Sequence, residues 1–296
     1  MTETPPGPPQ LTPPSGTVPA QPPAYGVQPP YGAPQAPLAY PAPASPDGAW
    51  IWSGAGWVPN PAYSAAAEPY RKPRFSALLT TVLLTIGSAA GIFVAVAAFH
   101  RRGLAASLLD GSFTGDLVSQ SDAADHLVAA ALIALVSAEF LTAIAFLTWL
   151  FITVRNNAAL GGRQLVFSPA AAVAWWFCPI ANYVQPVRAV NEAWKVSTPM
   201  NGMVSADLRR GMRMAPMIIA WWLCWLTAGI ALVVTGQLGS RTNPTLDDLM
   251  SHDAVLTASG ILSAAAAFLG ALVVRTLSAR QEAKAAALAQ GSLRAW

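Results

Sequence analysis

The stretch Ser168-Pro169-Ala170-Ala171-Ala172-Val173-Ala174-Trp175-Trp176-Phe177-Cys178-Pro179-Ile180-Ala181-Asn182-Tyr183-Val184-Gln185-Pro186-Val187-Arg188-Ala189-Val190-Asn191-Glu192-Ala193-Trp194-Lys195-Val196-Ser197 is nearly a membrane span and cannot be an ordinary one. A helix needs about 20 apolar residues to cross roughly 30 Å of hydrocarbon, and the uncharged run opening at Pro169 is cut short by Pro179. Beyond the break come Asn182, Pro186, Arg188, Asn191, Glu192 and Lys195. Broken, polar backbone is tolerated at membrane depth only where protein or a water-filled cavity surrounds it. Residues 168–197 are therefore the expected functional core. Ser168 can cap a half-helix that Pro169 opens. From Tyr183 onward, Val184, Val187, Val190 and Trp194 recur at helical spacing, with Gln185, Arg188, Glu192 and Lys195 on other faces. This predicts an amphipathic helix, re-entrant or lying in the interface, on which Arg188 and Glu192 stand four apart and can pair.

Around this block lie four apolar segments long enough to span, at 75–99, 127–154, 215–238 and 254–274. A composition that is 54% hydrophobic and only 10% charged agrees with a membrane protein. The basic residues decide whether the block crosses. If it does not, all 17 lysines and arginines except Arg101, Arg102 and Arg241 fall on one side, the side that holds both termini. If it does, the later loops swap sides and that bias is lost. The positive-inside tendency thus favours four spans with both termini cytoplasmic, in the inner or plasma membrane. The same topology puts Asp110, Asp116, Asp122, Asp125, Asp247, Asp248 and Asp253 outside. Trp149, Trp175, Trp176, Trp194, Trp221, Trp222 and Trp225 then fall near the cytoplasmic ends, where an interfacial belt belongs.

Most of the 26 prolines lie before residue 74. Residues 1–44 lack the periodicity to bury a core and read as a disordered, proline-rich tail, open to a cytoplasmic protein partner that recognises polyproline. A tail this long is no signal-peptide n-region, so the first span reads as an uncleaved anchor. Within the tail, residues 45–62 form a tryptophan-rich cassette in which Trp50 and Trp52 share one strand face, Ser53 to Gly56 turn the chain, and Trp57 returns against them. It resembles the small cassette that precedes the membrane region of many actinobacterial envelope proteins, with Ser53 where an acid is usual. A basic linker, 63–74, leads into the membrane domain, 75–280. The chain closes with a cytoplasmic tail, 281–296, for which a helix continuing past Val274 is expected.

Glu139 stands near the middle of an almost wholly apolar span, which makes it an intramembrane site candidate by default, the alternative being a protonated glutamic acid that donates a hydrogen bond to a neighbouring helix. Thr142, Phe146, Trp149, Thr153 and Asn156 follow at helical spacing, a stripe that can face Asn182 and Arg188. Glu139, Asn156, Asn182, Arg188 and Glu192 are accordingly the candidate polar site. No metal is expected; His126, His252, Asp125 and Asp248 are only weak candidates for an external one, because aspartates at helix starts are more often caps and histidines at membrane boundaries more often simply solvated. Cys178 and Cys224 fit neither a disulfide nor a zinc site. Gly87, Gly91 and Ala95 in the first span, with Gly260 and Ala264 in the last, allow close helix approach, within the domain or in a homo-oligomer. No nucleic-acid motif is present.

Phe146-Leu147-Thr148-Trp149, Arg155-Asn156-Asn157, Ser168-Pro169, Trp175-Trp176-Phe177-Cys178-Pro179-Ile180-Ala181-Asn182, Pro186 and Asn191-Glu192-Ala193-Trp194 together resemble the bacterial membrane family called domain of unknown function 4328. The likeness runs over roughly residues 75 to 280. It implies an all-α membrane domain, usually behind a proline-rich tail, and brings no activity, substrate or cofactor. Trp149, Ser168, Pro169, Trp176, Phe177, Pro179, Asn182, Pro186 and Trp194 are the positions that carry it. Phosphate-loop, zinc-protease and serine-hydrolase signatures are missing from the sequence. The leading expectation is therefore a non-enzymatic membrane scaffold without cofactor, binding a partner through its tail. The alternative is a small-solute or proton-linked transport component built on Glu139 and the broken segment, and the third reading is an envelope enzyme.

Overall fold

A computed structural model of the chain describes residues 43–45, 50–59, 69–162, 164–198 and 211–290. The rest of the proline-rich tail, parts of the tryptophan cassette and basic linker, Arg163, the loop 199–210 and residues 291–296 lie outside the described residues. The chain separates into two compact units, Met1–Glu68 and Pro69–Trp296.

In the first unit the described residues of the cassette form the expected hairpin. Strands β1 (Trp50–Trp52) and β2 (Trp57–Pro59) pair antiparallel, with Trp52 opposite Trp57. Their rings meet edge to face at 5.6 Å, a favoured geometry for cross-strand aromatics. The Ser53 hydroxyl supplies the turn chemistry, accepting from Gly56 N at 3.2 Å, and Gly54 takes the positive φ (+93°) that the turn requires.

In the second unit, four long helices alternate in direction: α1 (Arg74–Leu109), α2 (Leu117–Ala159), α5 (Pro216–Gly239) and α6 (Leu246–Ala289). All four are long and apolar enough to cross a membrane. Between α2 and α5 lie α3 (Pro169–Ala174), two 3₁₀ turns at Trp175–Phe177 and Ala181–Tyr183, and α4 (Gln185–Val196). The spans are capped where the sequence permits. Asp116 accepts from Val118 N and Ser119 N at the start of α2, and Thr245 with Asp248 forms a capping box on α6. At 43 and 44 residues, α2 and α6 are roughly 65 Å long, twice the hydrocarbon thickness, so both project beyond it. The continuation expected past Val274 is this last part of α6.

In lateral order the helices run α2, α1, α6, α5. The α1–α6 contact is the closest. A Cβ on Gly91 would lie 2.8 Å from Ala264 N and Gly260 O, and one on Gly260 would lie 2.7 Å from Ala95 N and Gly91 O. Ser88 Oγ donates to Ala264 O across the same seam at 3.0 Å. The small-residue faces are thus used within the chain, where backbone-to-backbone approach leaves no room for side chains.

We call the end where α1 begins and α6 leaves the proximal end. Trp149 Nε1 donates there to Ser278 Oγ at 2.9 Å, Gln281 Nε2 donates to Thr153 O at 2.9 Å, and Asn156 is bonded in both directions to the Arg71 backbone, at 2.9 and 2.8 Å. At the distal end a small apolar core of Val94, Ala97, Val128, Leu135 and Leu256 joins α1, α2 and α6.

Candidate functional site

The broken segment is built by its prolines and by one buried carboxylate. Ser168 Oγ accepts from Ala171 N at 3.2 Å and Pro169 occupies the first turn, so α3 starts as its sequence demands. Pro179 then holds Cys178 extended, the helix stops, and Asn182 N recovers a bond to Cys178 O at 2.8 Å. Pro186 opens α4. The segment begins and ends at the proximal end and does not cross, in agreement with four spans.

Glu192 corrects one expectation. Its carboxylate is buried and accepts from Val166 N at 2.9 Å and Phe167 N at 3.2 Å, tying α4 to the chain entering α3. Arg188 does not pair with it: this arginine donates to Gln185 Oε1 at 3.2 Å and lies 6.0 Å from the Phe167 ring. Two backbone donors satisfy a buried carboxylate better than an exposed side chain one turn away. Val187 and Val190 are buried and Arg188 is exposed, as the spacing predicts, whereas Val184 is exposed and Asn191 and Glu192 are buried, so the amphipathic helix packs its inner face into the protein.

The tip of the break wedges between α2 and α5. The Trp176 ring lies 5.3 Å from Phe146, 5.8 Å from Trp222 and 5.5 Å from Trp225, while Phe146 meets Trp221 at 5.8 Å. Trp222 Nε1 donates to Tyr183 O at 3.2 Å. Gly270 makes room for Trp221, whose Nε1 would be 3.1 Å from an added Cβ. The belt expectation is corrected accordingly: Trp149, Trp221 and Trp222 are buried core residues, because α6 at Ser278 and Gly270 and the break at Tyr183 O receive the rings that lipid headgroups would otherwise meet.

This aromatic cluster forms the proximal wall of a cavity of about 720 Å³. Its lining includes Leu84 and Gly87 of α1, Leu135, Glu139 and Thr142 of α2, Trp176 and Asn182 of the break, Trp225 and Gly229 of α5, and Ala267 of α6. Sequence reasoning placed Glu139, Thr142, Phe146 and Asn182 together, and all four line this space. Thr142 Oγ1, Trp176 Nε1 and Asn182 Oδ1 are buried without a hydrogen-bond partner. Among the described residues, no donor or cation engages the Glu139 carboxyl, which is open to the cavity.

The other candidates lie elsewhere. Asn156 is a latch between the juxtamembrane backbone and Gln281, and the stripe past Phe146 runs into the α2–α6 contact. Trp194 carries the Arg280 guanidinium 4.5 Å above its ring, and Phe177 is exposed at the rim. The roles of Trp221 and Trp225 were missed, since nothing in their spacing distinguishes a cavity wall from an interfacial anchor.

The external metal candidates meet a cation of the protein itself. Arg101 binds Asp253 through both oxygens, at 2.6 and 3.0 Å, and Asp125 at 2.9 Å; His252 Nδ1 lies 3.0 Å from Asp253. Asp248 is engaged by Thr245 and Arg241, and His126 is exposed. No group of three or more His, Cys, Asp or Glu able to hold a metal occurs among the described residues. Cys178 and Cys224 are free.

A family model described as domain of unknown function (DUF4328) matches residues 116–279. The chain belongs to this family. The match takes in α2, the break, α5 and most of α6, hence every element lining the cavity except α1, so the first span, which the likeness over residues 75 to 280 had included, lies outside the matched region. No curated protein and no solved structure matches the chain. Glu139, Asn182 and the tryptophan wall of this DUF4328 member all fall inside the matched region.

Proposed function

We propose that the protein is a non-enzymatic membrane component that binds a small, largely apolar solute between its spans, as the substrate-holding part of a transport process. The observation that carries this reading is the aromatic-walled cavity of about 720 Å³ with the unpartnered Glu139 carboxyl open to it. Sites of this size, mostly apolar with a few convergent polar groups, are where small ligands bind. An ionisable group inside a membrane span marks such a pathway more often than a structural contact. The proximal concentration of basic residues supports a cytoplasmic proximal end in a plasma membrane.

The test uses space. Gly229 lines the cavity, and a Cβ there would meet nothing within 4 Å. Gly229→Trp should therefore fill the cavity without disturbing the backbone. Saturable binding of a neutral apolar fluorophore, Nile red, to the full chain in nanodiscs should be lost in this variant. Equal saturable binding by both proteins refutes the reading.

The formed hairpin β1–β2 favours a second reading, partner binding through the tail and cassette. Pull-downs with and without residues 1–70 test it, and capture that does not depend on those residues counts against it.

A further inference from the structure

Resting on the proposal of a solute cavity, we infer that its occupant is an elongated lipophilic cation, an ammonium or protonated amine on an apolar body, which enters sideways from the bilayer between α2 and α5. Charge comes first. Among the described residues, Glu139 is the only Asp or Glu in the lining, and no Lys, Arg or His lines it. An anionic head would meet this carboxylate with no countercharge. A neutral ligand would leave the carboxyl either unpaired at low dielectric or neutralised by a proton, whereas a cation supplies the missing half of an ion pair.

Shape follows from the position of the aromatic wall. Phe146 lies two helical turns from Glu139 on α2, about 10 Å along the axis. One molecule reaches both only if its charge sits at one end and its apolar body lies against the rings of Phe146, Trp176, Trp221 and Trp225. Those ring faces are negative, so they also tolerate a cation that slides towards them.

The route follows from what is missing between two helices. α1 packs against α2 and α6, and α6 packs against α5, but among the described residues α2 and α5 have no comparable seam. They approach through the Phe146–Trp221 contact at the proximal end. Glu139, Ala143, Gly229 and Val233 line the cavity and are nevertheless exposed, so the slot opens towards the space that lipid fills. A ligand already dissolved in the bilayer reaches it without crossing the distal or proximal loops.

The experiment compares three probes of one chain length, decyltrimethylammonium, decanol and decanoate. Their binding to the full chain is measured by equilibrium dialysis in nanodiscs of zwitterionic lipid, with empty discs as blanks. The ammonium should bind saturably, about tenfold tighter than the alcohol, and the decanoate weakest. In Glu139→Gln the preference for ammonium over alcohol should collapse by about tenfold, while Glu139→Asp should keep it. If ammonium and alcohol bind the wild type equally, or Glu139→Gln retains the preference, the cation assignment is overturned and the cavity reading survives. If no probe binds saturably and Gly229→Trp changes nothing, both fall. Should Glu139→Gln fail to fold, the wild-type order of the three probes decides alone.

Discussion

Truncating Glu192 to alanine should destabilise the protein by about 2–4 kcal/mol, while Arg188→Ala should cost under about 0.5 kcal/mol. The first figure follows from the two backbone bonds that the carboxylate accepts, from Val166 N at 2.9 Å and Phe167 N at 3.2 Å. A hydrogen bond to a charged group contributes about 1.5–3 kcal/mol, and a buried donor left unpaired loses the larger share. Phe167 is buried and keeps that penalty. Val166 has an exposed side chain, so water can reach its vicinity and the total stays well below twice the single-bond value. Glu192→Gln keeps one acceptor oxygen and should lose about 1–2 kcal/mol. Arg188 is exposed and, among the described residues, hydrogen-bonds to Gln185 on its own helix and lies 6.0 Å from the Phe167 ring, contacts that contribute little at an exposed site. Equilibrium unfolding of the full chain in mixed micelles, titrated with sodium dodecyl sulfate and followed by tryptophan fluorescence, measures all three. An Arg188–Glu192 ion pair would instead make the two alanine variants similarly mild. Equal losses, or a Glu192→Ala loss below about 0.5 kcal/mol, would refute the capping role.

Gly91→Ala places a Cβ 2.8 Å from the α6 backbone and should cost about 1–3 kcal/mol in the same titration; Gly229→Ala, with open space around it, should be neutral within about 0.5 kcal/mol. Asp253→Ala leaves Arg101 without its bidentate partner and should cost about 3 kcal/mol, the low end for a broken buried pair because Arg101 is partly accessible. Asp125→Ala, on an exposed carboxylate, should cost less than about 1 kcal/mol. In a background lacking Cys178 and Cys224, reporter cysteines replacing Gly115 and Thr245 should react with an impermeant reagent from outside, and one replacing Met203 should not; external labelling at 203 would overturn the orientation. Burial first, and then the nearby Glu282 carboxylate, push the Tyr70 phenol from 10.0 up to about 12. The folded state therefore holds the proton that the unfolded chain releases, so stability should fall as pH rises from about 10 through about 12. Tyr70→Phe should flatten that alkaline decline, and an unchanged slope would show that other groups cause it.

Apolar length, proline position and basic asymmetry act locally, so they are legible in the order of residues alone. About 20 apolar residues suffice to specify a span, and a proline stops a helix wherever the chain goes. The four helices, the break at Pro179, the Ser168 cap and the tryptophan hairpin are all of this kind. The grouping of Glu139, Thr142 and Phe146 with Asn182 is also legible, because one helical face continues in the direction of the break. Rotation and partner choice are not. Whether Glu192 meets Arg188 or the backbone of Val166 and Phe167 depends on how α4 is rolled against the chain entering α3, and helical spacing leaves both open. Whether Gly91 and Gly260 close this chain or a dimer depends on which helices become neighbours. Trp176, Trp221 and Trp225 could stand at a headgroup belt or around a cavity, and the wedge between α2 and α5 selects the cavity. An isolated segment carries its own hydropathy and backbone limits, but the partner of a polar group is fixed only by what packing brings within about 3 Å of it.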